Sequence, residues 1–370
     1  MKIIIYALFI SAFTISFASA QDDNSEQDST KQEKISKEPL PLKAGRTFSY
    51  DLDEGSWISL DVAPNGDIAF DFLGDIFIMP ANGGQAKQLT SGFPFDSQPR
   101  FSPDGKHLVY ISDESGSDNV WVYDIETEKK RQITKDKSQA FQSPEWAPDG
   151  NYIIASRQSG RNLHKIWIYH KDGGSGKALV DEPNNLRMVE GAFGQSGRLV
   201  WFSRRTGSWN YNAALPQYQI ATYDRQTSEI ARQASRYGSS FRPTLSGDGR
   251  WLVYGTRLDA QTGLVLRDLK NGDESWLAYP VQHDDQESRA SRDVLPGVSF
   301  TPDNSSVVVS YGGKIWSINI TTKQATEIPF QVKSTLDLGP ELDIDYQIRD
   351  SEKFTITQIR DLAASPEGSK

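Results

Sequence analysis

Short apolar runs recur along this chain, and each follows a turn of the form small-Pro-Asp-Gly. Within Asn119–Tyr123, Val120 and Val122 fall on one face of an extended segment and Trp121 and Tyr123 on the other. Apolar groups on both faces indicate a strand covered on both sides. The turns are clearest at Ser102-Pro103-Asp104-Gly105 and Ala147-Pro148-Asp149-Gly150. Variants stand at Ala63-Pro64-Asn65-Gly66, Ser246-Gly247-Asp248-Gly249, Thr301-Pro302-Asp303-Asn304 and Ser365-Pro366-Glu367-Gly368, with a degraded copy at Gly194-Gln195-Ser196-Gly197. Proline presets φ at the second turn position, aspartate bonds its own backbone, and glycine takes positive φ without steric cost.

Each turn opens a similar unit. In the second copy His107–Ser112 and Asp118–Tyr123 read as strands, followed by Lys130–Thr134. The same landmarks give Ile68–Phe72, Asp75–Met79 and Ala86–Thr90 in the first unit, and Tyr152–Ser156, Lys165–Tyr169 and Lys177–Val180 in the third. Later units give Leu199–Ser203 with Gln219–Asp224, Trp251–Thr256 with Leu264–Leu269, and Val307–Ser310 with Lys314–Ile320. An aromatic recurs as Phe77, Trp121, Trp167, Tyr223 and Trp316, a packing group between neighbouring units. Before the turns lie Asp96–Phe101, Gln142–Trp146 and Phe241–Leu245, each with proline two residues ahead of an apolar group. They read as innermost strands, where one edge faces a channel and proline is tolerated. Self-similarity at roughly 40–50 residues, with about four strands per unit, predicts an all-β fold, a β-propeller of six to seven four-stranded blades.

Composition agrees with thin sheets. The apolar fraction is 37% and the mean hydropathy −0.55, both low for a packed α/β enzyme. Net charge of −9 and pI near 5.1 argue against nucleic acid as a partner. At the N-terminus, Lys2, the apolar run Ile3–Phe17 and Ala18-Ser19-Ala20 read as an export signal cleaved after Ala20. With no cysteine in the chain, an exported protein relies on burial instead of disulfides, which fits a bacterial periplasm or secreted fraction. Residues 21–45 read as a disordered linker, 46–333 as the propeller with about six repeats, and 334–370 as connecting strands. In that last piece Phe354–Ile359 reads as a strand and Ser365 opens a further repeat, as expected of a fragment of a longer protein.

These repeats resemble the WD40-like units of the TolB propeller family, and the Trp-Asp and Gly-His marks of true WD40 repeats are missing. Longer strings resemble the propeller half of exported proteins that join TolB-like repeats to a C-terminal amidohydrolase domain. They include Glu54–Val62, Asp71–Phe77, Phe95–Gly105, Phe202–Arg205 and Ser310–Trp316. The resemblance implies a non-catalytic module that gates substrate or docks a catalytic domain. Two other functions fit the same repeats: a stand-alone periplasmic scaffold that binds peptides or envelope proteins, and the gating propeller of a prolyl-oligopeptidase-like serine peptidase. No stable membrane span is expected once the signal is removed.

Candidate chemistry in the chain itself is sparse. The four histidines, His107, His164, His170 and His283, form no His-x-His, so no cofactor is expected here. A divalent metal would belong to the missing amidohydrolase domain. His164 and His170 read as surface or loop-end residues, and His283–Glu287 as a solvated acidic loop. Gly173–Lys177 lacks the spacing of a phosphate loop and reads as a strand connection. Arg204, Arg205, Trp209 and Tyr211 combine guanidinium and aromatic groups in what reads as one loop, the mixture found at binding hot spots. Arg100, beside an inner strand, is a candidate for the channel mouth.

Overall fold

A computed structural model describes residues 44–160, 163–180, 182–207, 214–339 and 352–368. The export signal and nearly all of the linker lie outside them, as do Trp209 and Tyr211. Six antiparallel four-stranded sheets follow one another along the chain. Blade 1 holds β2 (Leu60–Val62), β3 (Ile68–Phe72), β4 (Asp75–Met79) and β6 (Lys87–Gln88). Blade 2 holds β7 (Asp96–Phe101), β8 (His107–Ser112), β9 (Asn119–Asp124) and β10 (Lys129–Gln132). Blade 3 comprises β11 (Phe141–Trp146), β12 (Tyr152–Gln158), β13 (His164–His170) and β14 (Gly173–Ala178). In blade 4 lie β15 (Leu186–Phe193), β16 (Leu199–Thr206), β17 (Gln219–Asp224) and β18 (Ile230–Ala234). Blade 5 has β19 (Phe241–Leu245), β20 (Trp251–Leu258), β21 (Gln261–Asp268) and β22 (Glu274–Ala278). Blade 6 has β23 (Ser299–Phe300), β24 (Ser306–Tyr311), β25 (Lys314–Asn319) and β26 (Ala325–Ile328).

The core is divided in the way a ring of blades demands. Six apolar clusters form, each shared by two neighbouring blades. One joins Ala69 and Ile76 of blade 1 to Leu108 and Tyr110 of blade 2. The cluster that closes the ring joins Val308 and Ile315 of blade 6 to Leu60 and Phe70 of blade 1. Sheets with two apolar faces have no other way to bury both. The recurrent aromatics Phe77, Trp121, Trp167, Tyr223 and Trp316 belong to or pack against five of these clusters.

Each blade is built from contiguous chain, so no strand exchange closes the ring. A three-stranded clasp lies at the seam instead. There β27 (Phe330–Leu338) pairs antiparallel with β1 (Arg46–Leu52) and parallel with β5 (Gly84–Gln85). The Gly55 amide also donates to Gly313 O at 3.0 Å, and Ser310 Oγ donates to Ile58 O at 2.6 Å.

Several sequence expectations need correction. Gly173–Ala178 is the outer strand of blade 3 and not a connection, because its backbone pairs with β13. His164 is buried at the start of β13, whereas His170 at its end is exposed beside Asp172. Residues 354–359 form no strand, since no neighbour pairs with them, and Phe354 is 85% exposed.

Candidate functional site

The turns set the geometry of the axis. In blades 1 to 6 the residues four places before the turn are Ser59, Gln98, Ser143, Glu190, Arg242 and Gly297. Gln98, Ser143, Glu190 and Arg242 all have positive φ, between 54° and 58°. Pairing of the inner strand with its neighbour slips at this point in each of those blades, between Ser97 and Arg100, Gln142 and Glu145, Val189 and Ala192, and Phe241 and Thr244. These are β-bulges, and they accommodate Pro99, Pro144 and Pro243, which cannot donate to a ladder.

A bulge leaves an amide unpaired, and here the preceding blade captures it. Gln98 N donates to Asp71 Oδ2 at 2.8 Å, and Ser143 N to Gln98 Oε1 at 3.0 Å. Glu190 N donates to Ser143 Oγ at 2.9 Å, and Arg242 N to Glu190 Oε2 at 2.7 Å. Gly297 N of blade 6 donates instead to Ser59 Oγ of blade 1, the blade that follows it in the ring, at 2.9 Å. Blade-to-blade order around the axis is therefore held by side chain to backbone bonds as well as by the apolar clusters.

One end of the axis is plugged. The connection 279–298 between blades 5 and 6 crosses the channel and is bound from several blades. Glu190 Oε1 accepts from Val294 N at 2.7 Å and Leu295 N at 3.1 Å, while its Oε2 also accepts from Ser203 Oγ at 2.5 Å. Arg242 Nη1 pairs with Asp293 Oδ2 at 2.6 Å, and Ser143 Oγ donates to the other Asp293 oxygen. The fully buried Arg187 donates through Nη2 to Arg289 O at 2.6 Å. Asp284 is buried and held by Arg257 at 2.6 Å and by Thr262 Oγ at 2.5 Å. The segment His283–Glu287 is thus an anchored part of the plug and not a solvated loop. Among the described residues no cluster of three or more His, Asp or Glu is placed to hold a metal ion.

The other end is open. A cavity of about 200 Å³ there is lined by a second ring, two places before each turn: Asp61, Arg100, Glu145, Ala192, Thr244 and Ser299. Blades 1 to 3 contribute ionisable groups to this ring and blades 4 to 6 contribute none. Arg100 Nη1 donates to Leu60 O at 2.6 Å and lies 3.6 Å from Asp61 Oδ1, with its Nε 3.6 Å from Glu145 Oε2. Burial in the channel, reinforced by Asp61 and opposed by Arg100, pushes the Glu145 carboxyl up to about 8. Burial, with Asp293 beside it, pushes Glu190 up as well, against the donors that favour its ionised form. A Cβ on Gly297 would stand 2.5 Å from both Arg100 Nη2 and Ser59 Oγ, so a larger residue there would displace the side chains of the mouth.

Arg100 therefore lines the mouth, as the sequence suggests. Arg204 and Arg205 do not share a loop: both lie in β16, whose pairing with β15 and β17 continues past Ser203. Arg205 is buried, with its guanidinium 5.4 Å from the centre of the Tyr218 ring. Reading single residues missed Glu190, Arg242 and Asp293. The signal for the first two was present as the fixed offset of four from each turn, but Asp293 sits in an aperiodic segment.

Six contiguous blades around a channel define a β-propeller, and comparison with known proteins refines the type. Residues 61–230 match the family described as the tricorn protease N-terminal beta propeller domain. The crystal structure of TolB from Acinetobacter baumannii superposes with a TM-score of 0.56 at 16% identity, covering 77% of this chain and 67% of that one. In sequence the chain is 31% identical over 102 residues to dipeptidyl-peptidase 5 of Porphyromonas gingivalis, covering 25% of this chain and 15% of that protein. It is 27% identical over 102 residues to the Tol-Pal system protein TolB of Anaeromyxobacter dehalogenans, covering 28% and 23%. The chain thus spans less than a third of the length of these curated relatives. In fold it is a TolB-like β-propeller.

Proposed function

We propose that this propeller is a non-catalytic binding module of an exported protein, and that its open mouth receives an extended polypeptide segment. The observation that carries this reading is the mouth itself. It offers donors from Arg100 and Arg242 and acceptors from Asp61 and Glu145 around a closed floor, the complement of a peptide backbone or terminus. Among the described residues no histidine lines it. The partner is a catalytic domain of the same protein, or a peptide or envelope protein in the periplasm or secreted fraction.

Two kinds of catalytic partner suit such a module. The longer sequence strings resemble propellers joined to amidohydrolase domains, where a divalent metal would reside. The similarity to dipeptidyl-peptidase 5 and to the tricorn propeller supports a gating propeller of a serine peptidase as the second reading.

Titration of the 370-residue chain with unstructured decapeptides, with free or blocked termini, tests the module. Weak binding is expected, with loss in Thr244→Trp, which fills the mouth. Equal binding by this variant would move the site elsewhere. Turnover of peptide, amide or ester substrates by the chain alone would contradict the non-catalytic assignment.

A further inference from the structure

The open mouth holds more carboxyl groups than cations. Four ionisable side chains line its cavity, Asp61, Arg100, Glu145 and Arg242. Arg242 is engaged beneath the mouth, where its Nη1 pairs with the buried Asp293 at 2.6 Å. That leaves one guanidinium, Arg100, facing two carboxyl groups, with Asp61 Oδ1 and Glu145 Oε2 each 3.6 Å from it. The wall opposite, which includes Gly191, Ala192, Thr244 and Ser299, brings no charge.

Hydrogen bonding leaves one free acceptor on each carboxyl group. Asp61 takes the Phe101 amide on Oδ2 at 2.8 Å, and Glu145 takes the Trp146 amide on Oε1 at 3.0 Å. Arg100 Nη1 is held by Leu60 O at 2.6 Å, so its contacts with the two carboxyl groups are ion pairs at longer range. Among the described residues nothing donates a hydrogen bond to Asp61 Oδ1 or Glu145 Oε2. Neither side chain is sealed: 15% of Asp61 and 27% of Glu145 is exposed.

We infer that the mouth holds its polypeptide by a primary ammonium group, N-terminal or from lysine, bound at Glu145 Oε2 with Asp61 beside it. This deepens, and rests on, the reading of the mouth as a polypeptide site. A peptide carboxylate would add to the excess of acid, whereas a cation supplies the partner that Arg100 alone cannot give to both groups. A guanidinium favours both oxygens of one carboxylate, and here each carboxylate has only one free. An ammonium carries three separate donors, which suit single acceptors on different elements. The cavity is below the roughly 300–1,000 Å³ of sites for drug-sized ligands, so it suits one small group. In the free protein burial keeps a proton on Glu145 up to about pH 8, with Arg100 opposing and Asp61 reinforcing. The ammonium would replace that proton, which passes to solvent.

Calorimetry with the 370-residue chain tests this, using a neutral Gly-Ser decapeptide amide with a free N-terminus, N-acetylated, or N-acetylated with one internal lysine. The free-amine peptide is expected to bind about ten- to hundredfold more tightly than the acetylated one, the range of a hydrogen bond to a charged group. Recovery of that affinity by the lysine form would assign the ammonium to a side chain, and no recovery would assign it to the N-terminus. Glu145→Gln should erase the preference and leave the acetylated peptide unchanged. At pH 6 the amine is ionised, so binding should release about one proton in the parent chain and none in Glu145→Gln, read from the buffer dependence of the heat. Equal binding of the free and acetylated peptides, with the lysine form no tighter, would overturn the ammonium while leaving a polypeptide site in place. A preference that survives in Glu145→Gln would be general attraction to a chain of net charge −9 and would overturn it too. No binding of any form would remove the polypeptide reading and this inference together.

Discussion

The two ends of the channel are built by different rules. The open end is made of repeats: every blade supplies the residue two places before its turn, and the ring is regular in backbone while varied in charge. The closed end depends on a single aperiodic segment, 279–298, whose polar groups are matched one by one to Glu190, Arg242, Ser143 and Arg187. Repetition secures the shape of a channel, whereas stopping it requires a sequence that does not repeat. The plug also joins the apolar cluster between blades 5 and 6 through Ala290, Val294 and Leu295, so closing the channel and tightening that interface are one event.

Substitutions at the two ends should therefore differ in cost. The largest loss is expected for Glu190→Ala, which strands two plug amides and the Ser203 hydroxyl proton in a dry interior, while the Arg242 amide keeps only Ser203 Oγ. We expect about 3–5 kcal/mol in chemical denaturation. Arg242→Met leaves Asp293 without its cation but with Ser143 and Gln142 still donating, so about 2–4 kcal/mol is expected. Hydrogen exchange at residues 290–295 should rise in that variant. At the open end, Gly105→Ala places a Cβ at φ of 70°, and the expected loss is about 1 kcal/mol, confined to blade 2. Equal losses at the two ends would remove the distinction.

A smaller effect should appear with pH. The Glu145 carboxyl sits near 8 in the folded protein and near its ordinary value when unfolded, so the folded state binds more protons between those values. Its contribution is therefore fully present in acid and lost as pH rises through about 8. Glu145→Gln should flatten the decline of the denaturation midpoint from pH 5 to pH 8, and an unchanged profile would show that the mouth does not hold this proton.

Much of the ring was legible because its signals are local. Turn chemistry and two-sided apolar strands placed β3, β4, β7, β8, β17 and β19 at the expected residues, and the prolines marked the inner strands. Pairing across distance was not legible. Arg204 and Arg205 looked like loop residues because polar side chains interrupt the apolar run, yet the backbone ladder continues beneath them. Alternation at Phe354–Ile359 suggested a strand, but a strand exists only where a neighbour pairs with it. Residues 279–298 carry no period, and their fit to the bulge ring emerges only when all six blades meet.

Because the chain lacks cysteine, single introduced thiols report the two ends without background. Thr244→Cys at the mouth should react with a small maleimide at nearly the rate of a free thiol. Val294→Cys in the plug should be protected by more than about a hundredfold until the protein unfolds. Similar rates at the two positions would contradict a channel open at one end and sealed at the other.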